Sequence, residues 1–150
     1  MISVFDMFSV GIGPSSSHTV GPMKAGAEFA AFLAESGGAK SESLLSSVDT
    51  IKIELFGSLG QTGIGHGTGK AVILGLLGHT PEFVDVDKID AMLEHVRLSE
   101  TLCLNGEKEI AFPNKNAIVF HRRKTLPKHA NALTFFAMNG TTVVAQQTYY

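Results

Sequence analysis

Two Asn-Gly dipeptides limit what this chain can fold into. Each one stands between two runs of apolar and β-branched residues. Both residues of a two-residue hairpin turn take positive φ, which Asn and Gly adopt at low cost. Each dipeptide therefore predicts a β-hairpin with antiparallel strands. Asn105-Gly106 joins runs 102–104 and 107–112, and Asn139-Gly140 joins runs 133–138 and 142–149.

The first part of the chain has helical spacing instead. We expect a first helix from Gly21 or Pro22 to Glu35, a strand over 48–56, a helix over 70–77, and a third helix capped by Asp85 or Asp87. Residues 1–8 are predicted as a short strand or edge segment, 39–47 as a short helix or loop, and 117–121 as a strand. The sequence therefore predicts a single α+β domain, with a mostly antiparallel or mixed sheet of about five strands and helices packed on it.

Composition excludes several classes of protein. The chain has 150 residues, 44% of them hydrophobic, which suffices for one ordinary core. Its net charge of -2 implies neither nucleic acid nor a membrane surface as a partner. The single cysteine, Cys103, permits no internal disulfide and no cysteine-built metal site. Because Cys103 stands between leucines, we expect it to be a small buried apolar residue in a cytoplasmic protein.

The stretch 11–23 carries the densest set of polar groups. It reads Gly-Ile-Gly-Pro-Ser-Ser-Ser-His-Thr-Val-Gly-Pro-Met and runs directly into the first predicted helix. A helix start has unpaired N–H groups and partial positive charge, so it can hold a carboxylate or phosphate. Helix caps and turns would account for one serine and the prolines, but not for three hydroxyls followed by His-Thr. We therefore predict a small-anion site formed by Ser15, Ser16, Ser17, His18 and Thr19.

A second loop-to-helix junction lies at 57–70. It is rich in glycine, but it lacks the P-loop and dinucleotide-binding patterns. His66 stands there between Gly65 and Gly67, in a setting like that of His18, so we expect the two loops to converge on one ligand. His79 and His95 are expected on the surface, and His121 is a further candidate for facing the site. His129 and Asn131 precede a strand, where Asn131 could bond a carboxylate or an amine.

Several of these motifs resemble one family. They are 3–8 (Ser-Val-Phe-Asp-Met-Phe), the 11–23 stretch, 55–59 (Leu-Phe-Gly-Ser-Leu), 65–68 (Gly-His-Gly-Thr), 81–85 (Pro-Glu-Phe-Val-Asp), Leu126-Pro127 with His129 and Asn131, and Tyr149-Tyr150. Together they resemble the opening of the iron–sulfur type of bacterial L-serine dehydratase, or L-serine ammonia-lyase. Gly69 stands where that family usually has an acid, and Ala130 where it usually has proline.

The resemblance implies that residues 1–150 are the N-terminal domain or separate β chain of a lyase that deaminates L-serine to pyruvate and ammonia, in amino-acid catabolism and gluconeogenesis. Such a domain is similar to the allosteric substrate-binding domain of certain D-3-phosphoglycerate dehydrogenases. Cysteines of a larger catalytic domain or α subunit, absent here, would hold a [4Fe–4S] cluster, and no pyridoxal phosphate would take part. We expect this chain to be inactive alone, to continue past Tyr150, and to form a homodimer.

The resemblance also assigns roles by position. His18 and His66 would be catalytic or orienting groups, and the substrate contacts would be Ser15, Ser16, Ser17, Thr19, Gly65, Thr68, His129 and Asn131. No metal ligand is expected in this chain. An alternative is that the same residues form a regulatory serine or anion site with no part in the chemistry.

Overall fold

The computed structural model describes residues 20–35, 44–57, 67–121 and 131–149, and residue 131 by its backbone alone. These ranges contain three α-helices, six strands and the 3-10 turns Leu44–Ser47 and Val86–Lys88. The helices are α1 (Val20–Glu35), α2 (Thr68–Leu76) and α3 (Ile89–Ser99). The strands are β1 (Thr50–Gly57), β2 (Thr101–Leu104), β3 (Lys108–Ala111), β4 (Ile118–Phe120), β5 (Asn131–Asn139) and β6 (Thr142–Tyr149).

The six strands form one mixed sheet: five follow the order β2-β3-β1-β5-β6, and β4 lies off this path and pairs with β1. β1 pairs with β5 in antiparallel fashion over its whole length, from Thr50 opposite Met138 to Gly57 opposite Asn131. On its other side β1 pairs in parallel with β4 and, through Thr50 and Ala111, with β3. Both predicted Asn-Gly hairpins are present, as β2–β3 and β5–β6. The predicted α+β fold is confirmed, with six strands in place of about five.

The core lies between one face of the sheet and the helices. Alternate residues of a strand point to the same face, so Ile51, Ile53 and Leu55 of β1 are buried together. Residues of all three helices join the same cluster, among them Phe29, Val72 and Val96. The intervening residues of β1, including Glu54 and Phe56, point to the opposite face.

Two helices cross at glycines. A Cβ atom at Gly26 of α1 would lie 2.9 Å from the carbonyl oxygen of Val72 in α2. One at Gly75 of α2 would overlap the carbonyl oxygen of Met23 in α1. Only glycine lets the two backbones approach this closely. The crossing lies about 9 Å along α1 from Val20 and about 10 Å along α2 from Thr68, at 1.5 Å of rise per residue.

The helix limits differ from the prediction by a turn or less. α2 begins at Thr68, two residues before the predicted Lys70. The Asp85 carboxylate accepts a hydrogen bond from the Asp87 N–H at 3.1 Å, and this caps the 3-10 turn that leads into α3. The prediction that Asp85 or Asp87 caps the third helix itself is wrong, since the residue before α3 is Lys88, which makes no side-chain cap. The segments 1–8 and 39–43 lie outside the described residues.

The prediction of a buried Cys103 is wrong. Leu102 and Leu104 of β2 are buried in the core, whereas Cys103 is exposed. Because neighbours on a strand point to opposite faces, the two buried leucines that flank Cys103 direct its thiol away from the core.

Candidate functional site

Several elements meet at the end of the sheet where β1 terminates. β4 runs parallel to β1 and ends beside it, with Phe120 opposite Leu55. β5 runs the other way and begins there, with Asn131 opposite Gly57. The first turn of α2 packs on β4, since a Cβ atom at Gly69 would lie 3.3 Å from Ile118 Cδ1 and 3.8 Å from Phe120 Cζ. The chain thus gathers strand ends and a helix start in one place, although they are distant in sequence.

Among the described residues, the start of α2 has an incomplete set of hydrogen bonds. The residue before α2 is Gly67, with a φ of 77°, and it supplies no side-chain cap. The side chain of Thr68 is fully buried, and its Oγ1 has no hydrogen-bond partner among the described residues. A buried hydroxyl left unpaired costs about 1–3 kcal/mol, which a bound polar group would recover. The first N–H groups of α2 and this hydroxyl together suit an anion such as a carboxylate.

Gly69 explains how close α2 lies to the sheet. The position above Gly69 is occupied at 3.3 Å by Ile118 Cδ1 and at 3.8 Å by Phe120 Cζ. A larger side chain here would have to displace these two apolar groups or point past them. Glycine at position 69, in place of an acid, therefore leaves room for the apolar side chains of Ile118 and Phe120 beneath the start of α2.

A histidine–carboxylate pair lies on the opposite face of the same sheet end. His121 Nε2 is 2.5 Å from Glu54 Oε1, and the His121 ring stacks on Phe56 with centroids 4.6 Å apart. The two side chains are only 24% and 21% exposed. The His121 N–H also donates to the Leu55 carbonyl oxygen at 2.8 Å, which extends the pairing of β4 with β1. The contact with Glu54 and the stacking on Phe56 together fix the orientation of the imidazole ring.

His121 was among the residues considered from the sequence, but Glu54 was not. In the sequence Glu54 is only a polar residue between Ile53 and Leu55 of the predicted strand. The one available signal was that a carboxylate occupied the last polar position before the glycine-rich loop. Nothing in the sequence pairs it with a residue 67 positions away.

The cavity of about 430 Å³ at the other end of α2 is separate from this site. It lies between α3 and the β2–β3 hairpin and is lined by Leu77, Met92, Val96 and the polar residues His79, His95 and Cys103. His95 is exposed, as predicted, and His79 is half-buried. Thr101 at the edge of this cavity donates its hydroxyl to Glu109 Oε1 at 3.0 Å.

Only part of the predicted site falls in the described ranges. Thr68 lies at the uncapped start of α2, and the backbone of Asn131 lies opposite Gly57 at the same end of the sheet. The predicted convergence of the two loops is therefore untested. The remaining predicted residues lie outside the described residues: Ser15, Ser16, Ser17, His18, Thr19, Gly65, His66 and His129.

Comparison with known proteins shows the family. Residues 3–150 match the family described as serine dehydratase beta chain. The chain belongs to that family. It is 51% identical to an L-serine dehydratase of Streptomyces coelicolor over 99% of this chain, and 48% identical to L-serine dehydratase 1 of Escherichia coli over 100% of it. A third relative, the L-serine dehydratase of Helicobacter pylori, is 36% identical over 99% of the chain.

The chain spans about a third of the length of these curated relatives, 32% for the first two and 31% for the third. The residues of this chain do not fit an iron–sulfur cluster. Such a cluster takes several thiolates, and the sequence has one cysteine, which is exposed on β2. Within the described ranges, no group of three or more His, Cys, Asp or Glu side chains could hold a metal ion. None of the described helices is long and apolar enough to cross a membrane.

Proposed function

We propose that this chain is the substrate-binding part of an L-serine ammonia-lyase, which converts L-serine to pyruvate and ammonia. The observation that carries the proposal is the start of α2, where a buried Thr68 hydroxyl without a described partner adjoins a helix end without a side-chain cap. Membership of the serine dehydratase beta chain family supports L-serine as the ligand that satisfies these groups.

The start of α2 suits the carboxylate of L-serine. The N–H groups at a helix start and the partial positive charge of the helix both favour an anion. The Thr68 hydroxyl adds a donor in surroundings from which water is excluded, where an electrostatic contact is stronger. In this proposal α2 holds the carboxylate end of serine and thereby orients its α-hydrogen and hydroxyl.

The remaining assignments follow the sequence. Ser15, Ser16, Ser17 and Thr19 would bind the carboxylate or amine of serine, and Gly65, His129 and Asn131 would complete the pocket. His18 and His66 are the candidates for moving a proton, since imidazole titrates near neutral pH. In the elimination the α-proton and the hydroxyl leave as water, and the resulting aminoacrylate is hydrolysed to pyruvate and ammonia.

The other two thirds of the complete protein would supply what this chain lacks. We propose that a larger domain or α subunit holds a [4Fe–4S] cluster, which when bound would supply Lewis-acid chemistry at the serine hydroxyl. The contribution of this chain is then to bind and orient serine at the boundary between the two parts. The cell compartment proposed for the enzyme is the cytoplasm, where it would act in amino-acid catabolism and gluconeogenesis.

The test is Thr68→Val, which removes one hydroxyl and keeps the shape of the side chain. In the full-length enzyme we expect the KM for L-serine to rise about fivefold to tenfold, the equivalent of one lost hydrogen bond. The free energy of unfolding of this chain should stay equal or increase, because the variant removes an unpaired buried hydroxyl.

Thr134→Val is the matched control. Thr134 is also buried, but its Oγ1 shares a hydrogen bond of 2.9 Å with Thr148 Oγ1. This variant should lower the free energy of unfolding by about 1 kcal/mol and leave the KM for serine unchanged. If Thr68→Val leaves both KM and kcat at wild-type values, the start of α2 does not bind serine.

The alternative function is a regulatory site for serine or another small anion. It is supported by the start of α2, which has no side-chain cap and suits an anion, together with the single cysteine of the chain, because such a chain would bind a ligand without carrying the cluster. His18→Ala and His66→Ala in the full-length enzyme separate the two functions. Loss of turnover at saturating serine supports a shared active site, whereas unchanged maximal turnover with altered cooperativity supports regulation.

A further inference from the structure

The cavity of about 430 Å³ between α3 and the β2–β3 hairpin lies away from the proposed serine site. Leu77, which lines the cavity, directly follows the last residue of α2, whereas Thr68 begins that helix. Sites for small molecules commonly have volumes of about 300–1,000 Å³. The cavity is therefore large enough to hold a ligand of its own.

Backbone hydrogen bonds hold both walls of the cavity. At the turn of the hairpin, the Asn105 N–H donates to the Leu76 carbonyl oxygen of α2 at 2.8 Å. At the start of β2, the Glu100 N–H donates to the Val96 carbonyl oxygen at 2.9 Å, and Glu100 takes the φ of 53° that ends α3. Because the hairpin and the helix are attached at both places, the cavity is already formed, and a ligand does not have to order its walls.

The apolar part of the lining combines small and large side chains. Ala91 of α3, Cys103 of β2 and Gly106 in the hairpin turn are small, so they leave space between the helix and the hairpin. The larger apolar side chains of the lining are Leu77, Met92 and Val96. This surface suits an apolar ligand body, because its burial is favourable and a methionine adapts its shape to a neighbouring ring.

The polar part of the lining favours an anionic group. The Glu109 carboxylate already accepts a hydrogen bond from the Thr101 hydroxyl at 3.0 Å. The other polar groups are nitrogen donors, namely the ammonium of Lys88 and the imidazoles of His79 and His95. An ammonium and two imidazoles together match a carboxylate better than an amine.

Lys88 is the cation of this set, and its pairing within the chain is weak. Its Nζ lies 3.9 Å from Asp85 Oδ2, and both side chains are more than half exposed. Exposed ion pairs of this kind contribute little, because water screens the two charges. The ammonium of Lys88 therefore keeps most of its attraction for a second anion.

We propose that this cavity binds a small monocarboxylate whose apolar body has the size of a phenyl or branched alkyl group. The apolar body contacts Leu77, Met92 and Val96. The carboxylate lies at Lys88, where the imidazoles of His79 and His95 add donors. L-Serine has no apolar body, so it gains little from this lining. The proposal is independent of serine binding at the start of α2.

The test uses Cys103 of the full-length protein as a reporter and 3-phenylpropanoate as the ligand. The exposed thiol lines the cavity, so it reacts with N-ethylmaleimide and a bound ligand shields it. Peptide mass spectrometry reads the modification at Cys103 itself, and the readout needs no catalytic activity. Protection should saturate, with half of the effect at roughly a millimolar, as expected for so small a ligand. The neutral amide 3-phenylpropanamide should need about threefold more, and L-serine should not protect.

Two variants test the two parts of the lining. Ala91→Leu fills part of the cavity from an exposed position of α3, where leucine is a good helix former, so Cys103 should still react but lose its protection. Lys88→Gln should raise the half-protecting concentration of 3-phenylpropanoate about threefold and leave that of the amide unchanged. Lys115→Gln, at an exposed position between β3 and β4, is the matched control and should behave as the wild type.

Three results would overturn the proposal. A Cys103 that does not react in the full-length protein would show that the rest of the protein covers the cavity. A reaction that 3-phenylpropanoate leaves unchanged, or slows equally in Ala91→Leu and the wild type, would show that the cavity does not bind it. Equal protection by the acid and its amide would contradict a carboxylate at Lys88.

Discussion

At the scale of single residues, the closest backbone contact between α1 and α2 depends on Gly26 and Gly75. Each glycine faces the backbone of the other helix, so neither has room for a side chain. The two helices could not keep this crossing if either position carried even a methyl group. Thr68 at the start of α2 belongs to the same helix as Gly75. The position of the helix start therefore depends on the crossing at these two glycines.

Gly26→Ala tests this dependence. The added methyl group would lie 2.9 Å from the Val72 carbonyl oxygen, and overpacking of this kind costs about 1–3 kcal/mol or more. We expect the urea midpoint of unfolding to fall accordingly. Gly21→Ala in the same helix is the control, since a Cβ atom there meets none of the described residues within 4 Å. It should raise stability by a few tenths to about 1 kcal/mol through helix propensity. Equal effects of the two substitutions would contradict the contact.

At the scale of elements, β4 is a strand of only three residues, yet it forms the floor under the start of α2. Its pairing with β1 is extended by His121, which binds Glu54 and stacks on Phe56. The histidine thus acts as an extra point of attachment just beyond the end of the strand. Its environment is partly shielded from water, which makes these contacts worth more than surface contacts of the same kind.

His121→Ala should therefore lower the free energy of unfolding by about 1–2 kcal/mol, because it removes the ring contact and leaves Glu54 without this partner. His121→Phe keeps the ring on Phe56 and should recover part of the loss. Chemical denaturation measures both. His95→Ala, at an exposed position of α3, serves as the control and should change stability little. If His121→Ala behaves like His95→Ala, the pair contributes nothing to the attachment of β4.

At the scale of the whole molecule, this chain has its own hydrophobic core but spans only a third of its relatives. It holds a single cysteine, which cannot carry a multi-thiolate cluster. We expect the isolated chain to produce no pyruvate from L-serine, as measured by a coupled pyruvate assay under anaerobic conditions. A full-length L-serine dehydratase assayed in parallel provides the positive control. Turnover by the isolated chain would refute the division of labour between the two parts of the enzyme.

The sequence by itself determined the local features of the fold. The two Asn-Gly dipeptides predicted both hairpins, and the carboxylate at Asp85 marked the turn that leads into α3. These features follow from the residues within one turn or one hairpin, so a local pattern suffices to predict them. The motif at 11–23 likewise indicated the family, because its residue types and order are distinctive, although its geometry lies outside the described residues.

The tertiary structure alone decided which distant residues meet. The pairing of His121 with Glu54, the crossing at Gly26 and Gly75, and the burial of the Thr68 hydroxyl each join elements that are far apart in sequence. The exposure of Cys103 was likewise decided by which face of β2 turned to the core. The physical reason is that strand pairing and helix packing are chosen by the free energy of the whole core, which no short window of sequence contains.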